Sequence, residues 1–203
     1  YKLVMKNLIN SPDISNLEKK YVSQALKEGW LSINGNNTKK FENKISNFLN
    51  IKHCLAVQSG TAAIHLALKS LGCGNGDKVI IPNYTCVSNI SAVSQCGAIP
   101  IIVEVERQTL GLDLEQLKLA IRKYRPKILQ LVHVYGCPAR DTLEIVKICK
   151  KYKIKMIEDF SESLGGEINK KKLGNFGDVS VCSIRSEKMI GVGEGGVVFT
   201  KDK

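Results

Sequence analysis

Apolar residues recur along this chain with two alternating spacings, which predict its secondary structure. Near the N-terminus, Ile14, Leu17, Tyr21 and Leu26 follow helical spacing, and residues 41–49 repeat that pattern. Short apolar runs then predict strands at 54–57, 78–82, 99–105, 128–134, 155–157, 179–182 and 197–199. Helical spacing between them predicts helices at 61–71, 87–96, 113–121 and 142–152, the third capped by Asp113.

Strands that alternate with helices predict an α/β fold, in which helices sandwich a mainly parallel but mixed sheet. Residues 1–50 are expected to form an N-terminal helical segment of the same unit, and residues 51–203 to form the large domain. Ligands in such sheets bind beyond the carboxyl ends of the strands, so the polar residues at those ends are the first candidates for chemistry.

The net charge of +11 is high and could attract nucleic acid or an acidic ligand. The basic residues are scattered, however, and their densest runs, 150–153 and 170–172, lack the interleaved aromatic residues of single-strand binders. We therefore expect no nucleic-acid partner and a solvated basic surface, with a real anionic-ligand patch as the alternative. No apolar run approaches ~20 residues, so we expect no membrane span.

The seven cysteines include no C-x-x-C pair. Their number is odd, and several fall within apolar strands or helices. This usage predicts reduced, buried cysteines in a cytoplasmic protein, with a zinc site as a weaker alternative.

Three segments carry candidate chemistry, in the order that a pyridoxal phosphate site needs. The turn 59–61 joins a strand to a helix whose free N–H groups suit a phosphate, although simple helix capping is equally consistent. Asp159 ends a strand and could pair with a protonated ring nitrogen, or serve as a metal ligand or loop cap. Lys188 lies between a strand and the glycine-rich segment 191–196, where a lysine can be a nucleophile, and Ser183 before it could hold a phosphate.

Together these segments resemble the DegT/DnrJ/EryC1/StrS sugar aminotransferase family of fold type I pyridoxal phosphate enzymes. The resemblance runs from residue 29 onward and rests on 59–68, 76–82, 132–139, 157–159, 174–178 and 188–196. Glu162 and the segment after Lys188 are similar to the perosamine-synthase-like members. The resemblance implies transfer of an amino group from glutamate to a nucleotide-linked 4-keto-6-deoxysugar, for cell-surface polysaccharide or glycoconjugate biosynthesis. It also implies a homodimer with shared active sites.

By this resemblance Lys188 binds the cofactor covalently, Asp159 pairs with the pyridine nitrogen, and Glu162 lies near the cofactor hydroxyl. The residues implied for the phosphate are Gly60, Thr61, Ala62 and Ser183. His133 is expected to be structural, and Trp30 to line the substrate entrance or pack in the core.

Two departures from the family qualify this expectation. The family usually has an aromatic residue that stacks on the cofactor where this chain has Cys86, and Tyr84 could partly compensate. The chain also stops before the smaller C-terminal domain, which indicates a fragment. An inactive or regulatory remnant is therefore the alternative function. Sugar dehydration is a further rival, but the dehydrase-like relatives have a His in place of the lysine.

Overall fold

The computed structural model describes residues 13–29 and 35–202, so Trp30 lies outside the described residues. The helices are α1 Asn16–Glu28, α2 Asn36–Leu49, α3 Gly60–Ser70, α4 Val87–Gln95, α5 Leu114–Tyr124 and α6 Thr142–Tyr152. The strands are β1 His53–Val57, β2 Lys78–Pro82, β3 Ile99–Val103, β4 Ile128–Val132, β5 Lys155–Asp159, β6 Glu167–Ile168, β7 Lys171–Lys172, β8 Val179–Ser183 and β9 Gly196–Thr200.

Seven of these strands form one sheet in the order β1-β9-β8-β5-β4-β2-β3. The run from β8 to β3 pairs in parallel, whereas β9 is antiparallel to both of its neighbours, β1 and β8. The predicted mixed, mainly parallel α/β sheet is therefore confirmed. The parallel strands end along one edge, and Asp159 and Ser183 are the last residues of β5 and β8.

Strand residues alternate between the two faces of this sheet, as the pleat requires. Ile157 of β5 packs with α3 and α4 on one face, and Met156 packs with α5 and α6 on the other. A third cluster joins α2 to β8 and β9 through Leu49, Cys182 and Phe199. Asp159 has the parity of Ile157, so its carboxyl group lies on the face of α3 and α4, while that of Glu158 lies on the opposite face.

The two N-terminal helices differ in how they contact the sheet. Helix α1 begins with a capping box between Ser15 and Glu18, but none of its residues is buried. Helix α2 buries Ile45 and Leu49 and packs against β1. The division at residue 50 remains a prediction. Within residues 13–29 and 35–202, no helix combines the length and apolarity that crossing a membrane requires.

The small hairpin β6–β7 was not among the elements predicted from the sequence. Its two-residue loop, Asn169 and Lys170, has φ values of 51° and 63°, as a type I′ turn requires. Two-residue strands are too short to show an alternating pattern. The strands predicted at 99–105 and 128–134 are also shorter than expected, ending at Val103 and Val132.

All seven cysteines are free thiols. Burial raises the pKa of Cys73 to about 11 and that of Cys149 to about 12, which keeps these thiols protonated. The expectation of buried cysteines is wrong for Cys86 and Cys137, which are exposed. Both follow strand ends on the ligand side of the sheet, where loops rather than core surround them.

Candidate active site

A cavity of about 580 Å³ opens at the carboxyl edge of the sheet. The ends of β5 and β8 and the N-termini of α3 and α4 surround it. Of the residues predicted for the site, those that line the cavity are Gly60, Thr61, Cys86, Asp159, Glu162, Ser183 and Lys188. Ala62 is not a lining residue, and its N–H group is bonded to the side chain of Ser59. The structure thus brings together residues that are far apart in sequence.

The N-terminus of α3 forms a narrow cradle against β8. Ser59 caps the helix, since its hydroxyl accepts from the N–H of Ala62 at 3.1 Å. No hydrogen bond within the described residues takes the N–H groups of Gly60 and Thr61. A Cβ on Gly60 would lie 2.8 Å from the Cβ of Ser183, so only glycine allows this approach. Two free N–H groups, the positive end of a helix and a hydroxyl are a donor set for a phosphate.

Asp159 is 5% exposed and its carboxylate is held on both oxygens. Its Oδ1 accepts from the N–H and the hydroxyl of Ser161, at 3.1 and 2.6 Å. Its Oδ2 accepts from the amide of Asn89, a buried residue of α4, at 3.2 Å. The Ser161 hydroxyl also accepts from the N–H of Ser183 at 2.8 Å, which ties the carboxylate to the cradle.

Lys188 lines the same cavity from the loop between β8 and β9. Its Nζ donates to Oε1 of Glu162 at 2.9 Å, and the lysine side chain is 16% exposed. The other oxygen of Glu162 accepts from the N–H of Tyr135 at 3.2 Å. Tyr135 has a φ of 52°, which is unusual for a non-glycine residue. In this backbone conformation its N–H points to Glu162.

Two tyrosines form part of the cavity wall. The hydroxyls of Tyr84 and Tyr135 are 2.8 Å apart, and their rings meet edge to face at 6.1 Å between centroids. The hydrogen bond to Tyr135 raises the pKa of Tyr84. Cys86 is the exposed N-cap residue of α4, with its thiol 2.8 Å from the hydroxyl of Ser88. Tyr84 therefore brings an aromatic ring to the same cavity from a position two residues before Cys86, where the family resemblance implies the aromatic residue.

A buried polar cluster supports the site from the other face of the sheet. Nδ1 of His133 accepts from the N–H of Ala139 at 2.9 Å, so the ring proton is on Nε2 and faces Glu158 at 3.3 Å. Burial opposes the charge of Glu158, but His133 and the N–H groups of Gly174 and Phe176 outweigh it and lower the pKa of this carboxyl. These contacts support the structural role expected of His133, which also lines the cavity, and that role stays a prediction.

Asn89, Ser161 and Tyr135 were not singled out from the sequence. Asn89 has a weak signal, because it is a lone amide among the apolar positions of α4. Ser161 follows the candidate carboxylate by two residues, which is the spacing of an Asx-type turn. The residue type of Tyr135 does not predict its left-handed backbone conformation, and the only hint in the sequence is the glycine that follows it.

The donor set of this cavity suits pyridoxal phosphate. A Cβ would fill the cradle at Gly60, so the backbone there is shaped to approach a ligand group closely. A fixed carboxylate, Asp159, can pair with a ring N–H, and the amine of Lys188 can bond to an aldehyde carbon. Among the described residues, no group of three or more His, Cys, Asp or Glu is arranged to hold a metal ion.

The chain resembles solved structures over nearly its whole length. An aminotransferase from Psychrobacter cryohalolentis superimposes with a TM-score of 0.88 at 28% identity, covering 94% of this chain and 48% of that one. The E. coli GDP-4-keto-6-deoxy-D-mannose-3-dehydratase with bound hydrated PLP also has a TM-score of 0.88 at 28% identity, covering 95% and 50%.

Sequence comparison gives a consistent result. A GDP-perosamine synthase of Vibrio cholerae is 38% identical over 192 residues, which is 95% of this chain and 52% of that protein. The chain thus spans about half the length of the relatives that it matches. The model of the DegT/DnrJ/EryC1/StrS aminotransferase family matches residues 12–203. The chain therefore belongs to the DegT/DnrJ/EryC1/StrS aminotransferase family.

Proposed function

We propose that this protein is a pyridoxal phosphate-dependent aminotransferase that moves an amino group from glutamate to a nucleotide-linked 4-keto-6-deoxysugar. The observation that carries the proposal is the meeting of Asp159, Lys188 and the Gly60–Ser183 cradle in one cavity. Family membership and the similarity to GDP-perosamine synthases support the substrate class. The product would serve cell-surface polysaccharide or glycoconjugate synthesis.

The cofactor, when bound, supplies an electron sink for negative charge at the carbon that carries the amino group. The N–H groups of Gly60 and Thr61 and the hydroxyl of Ser183 would hold its phosphate. Asp159, fixed by Ser161 and Asn89, would keep the ring nitrogen protonated. Glu162 would accept from the ring hydroxyl, as the family resemblance implies.

Lys188 has two parts in this proposal. Its amine would hold the cofactor covalently, and the free Nζ would take and return a proton at the reacting carbon. Glu162, at 2.9 Å from Nζ, orients the free amine and stabilises its charge. The same two residues would act in both halves of the reaction, because amino donor and amino acceptor react in turn in one cavity.

The proposal includes a homodimer with shared active sites and a cytoplasmic location. A second subunit and the sugar nucleotide would complete the cavity. Seven free thiols suit a reducing compartment.

The covalent role of Lys188 can be tested by trapping. The full protein is incubated with pyridoxal phosphate, reduced with borohydride and digested, and the modified peptide is identified by mass spectrometry. We expect the label on Lys188 and its loss in Lys188→Ala, with Lys172→Ala, a lysine on β7, as the matched control. A label that persists elsewhere at full stoichiometry in Lys188→Ala would exclude this lysine as the anchor.

The substrate class is tested separately, by supplying glutamate and a set of keto-sugar nucleotides to the full protein. We expect an amino sugar nucleotide and 2-oxoglutarate in equal amounts. The similar E. coli dehydratase makes sugar dehydration a second candidate on the same scaffold, and it would appear as a deoxy product without net amino transfer. The presence of Lys188 favours transfer. Cofactor binding without either product would identify a remnant that retains only the cofactor site.

A further inference from the structure

A second cavity, of about 510 Å³, lies at the opposite end of β5 from Asp159. Five lysines line it and come from three stretches of the chain that are separated in sequence, residues 150–155, Lys171 and Lys201. Lys150 and Lys153 belong to the end of α6, Lys155 begins β5, Lys171 is in β7, and Lys201 follows β9. A solvated helix face would place its lysines on one element, whereas these converge from elements that only the fold brings together.

The positive charge of this lysine cavity is largely unbalanced. Among the described residues, Asp178 is the one carboxylate that lines it. One oxygen of Asp178 is 3.3 Å from Nζ of Lys155, and the other accepts from the N–H of Met156 at 2.8 Å. Asp178 is therefore already engaged by the first two residues of β5 and can offset only part of the charge of one lysine.

The individual lysines show the effect of this crowding. Partial burial lowers the pKa of Lys171, and the charges of Lys201 and Lys150 lower it further, against an opposing effect of Glu158. The ammonium group of Lys171 lies 4.5 Å from the centre of the Phe176 ring. Nζ of Lys201 donates to the carbonyl of Asn175 at 3.0 Å, which leaves two of its protons free for a ligand.

Apolar residues also line the cavity, namely Val146, Cys149, Ile154, Met156 and Phe176. A cavity lined by both apolar residues and several lysines suits a small molecule that carries more than one phosphate charge, since lysine binds phosphate as a point charge. A volume of this size also falls in the range of small-ligand sites.

We propose that this lysine cavity binds a di- or triphosphate group, either as an inorganic oligophosphate or as part of a nucleoside diphosphate. The cavity is separated from the candidate active site by the length of β5. It shares no lining residue with that site. The proposal therefore does not depend on the aminotransferase function.

The test uses inorganic tripolyphosphate as the probe, with the full protein in isothermal titration calorimetry. Lys171→Ala combined with Lys201→Ala is expected to weaken binding by about tenfold. Each substitution removes one ion pair between a lysine and the phosphate groups of the probe. The matched control is Lys39→Ala with Lys123→Ala, which removes the same charge from α2 and α5 without touching the cavity. Replacing Lys171 and Lys201 by Arg keeps the charge and is expected to retain most of the binding.

Backbone amide resonances locate the probe, and we expect the shifts at residues 150–155 and 171–178. An equal loss of affinity in the control pair, or shifts confined to residues 59–61 and 183, would overturn the proposal. A further pair of titrations compares pyrophosphate with adenosine diphosphate. Equal affinity supports an oligophosphate ligand, and tighter binding of the nucleotide supports a nucleoside diphosphate.

Discussion

At the residue scale, Asn89 shows how a carboxylate at a strand end is held in place. Asp159 needs a fixed orientation to pair with a ring nitrogen, and the N–H and the hydroxyl of Ser161, two residues further along the chain, both donate to its Oδ1. Asn89 comes from a different element and bonds the other oxygen, while its amide also donates to Thr85 at 2.9 Å. The orientation of Asp159 therefore depends on the packing of α4 against the sheet.

Removing this amide is expected to weaken cofactor binding. In Asn89→Ala the affinity for pyridoxal phosphate should fall by about tenfold, since a hydrogen bond to a charged group is lost. Spectroscopic titration measures the dissociation constant, and Asn89→Gln should show a smaller loss. The control is Gln95→Ala on the exposed side of the same helix, which should bind as the unchanged protein does. If Asn89→Ala bound pyridoxal phosphate as tightly as the unchanged protein does, Ser161 alone would orient the carboxylate.

Cys86 offers the opposite test, in which a substitution adds a contact. An aromatic ring at this exposed lining position can stack on a bound pyridine ring, and such a contact contributes about 0.5–1.5 kcal/mol. We expect Cys86→Phe to bind pyridoxal phosphate about threefold to tenfold more tightly, measured by the same titration. Cys137→Phe, at the other exposed cysteine, is the control and should have no effect. Unchanged affinity in Cys86→Phe would indicate that the Tyr84–Tyr135 pair already occupies the stacking position.

Most of the candidate site could be predicted from residue types at strand ends, and the family resemblance drawn from those residues is confirmed. Gly60 could be predicted because a close backbone approach to a ligand requires glycine. Asp159 could be predicted because it is a carboxylate at the end of an apolar strand. The contributions of Asn89 and Tyr135 could not be predicted. They depend on how α4 packs and on a backbone conformation, and neither is local to the residue.

At the element scale, the turn after β3 is organised by one carboxylate. Glu106 is 6% exposed and accepts from the N–H groups of Gln108 at 2.7 Å and Thr109 at 2.8 Å, and from the Thr109 hydroxyl. Nη1 of Arg140 is 3.4 Å away. Burial alone would raise the pKa of Glu106, but these hydrogen bonds outweigh it and lower the pKa to about 2.

The lowered pKa of Glu106 makes stability depend on acid pH. The unfolded chain takes up the proton near pH 4.5 and the folded chain only near pH 2, so the stabilisation is complete above 4.5 and is lost as the pH falls through that window. Glu106→Gln should lower the free energy of unfolding at neutral pH by about 2 kcal/mol. It should also flatten the decline between these pH values, as measured by urea denaturation.

The matched control for this prediction is Glu115→Gln, a highly exposed carboxylate of α5 that pairs with Lys118. It should leave the acid limb of the stability curve nearly unchanged. An identical pH profile in Glu106→Gln and the unchanged protein would show that the hydrogen bonds around Glu106 do not contribute to stability.

The types of the longer elements were well predicted, because a strand or helix of five residues or more is long enough to show the spacing of its hydrophobic residues. The helix at 142–152 and the strand at 78–82 were placed with their observed bounds. The hairpin β6–β7 could not be found this way, since its stability comes from the turn at Asn169 and Lys170 and from packing of Leu173 on Phe160 and its neighbours. Its position decides where Lys171 enters the lysine cavity.

At the scale of the whole molecule, Gly196 is the point where β9, β1 and α3 meet. It pairs with both Val57 and Ser183, and a Cβ there would lie 2.2 Å from the carbonyl oxygen of Ser59. The backbone of Ser59 cannot move without displacing the helix cap that shapes the phosphate cradle. Stability of the sheet and shape of the site are therefore linked through this one glycine.

Gly196→Ala is expected to destabilise the protein by about 3 kcal/mol, at the upper end of the cost of overpacking a core. Urea denaturation measures this loss. Gly76→Ala is the control, because its φ is 76° and a Cβ there has no neighbour within 4 Å, so only backbone strain of about 1 kcal/mol is added. Equal losses in the two variants would contradict the close contact at Gly196.

The position of β9 between β1 and β8 also bears on the order in which the molecule assembles. Among the described strands β1 comes first in the chain and β9 comes last, yet His53 pairs with Thr200. Contacts of such wide sequence separation form late, because a long loop must close before they contribute. We expect pulse-labelling hydrogen exchange to show the amides of β1 protected together with β9, after those of β2 and β4. Until then the nascent chain carries an open strand edge, which makes this interval the one in which chaperone contact matters most.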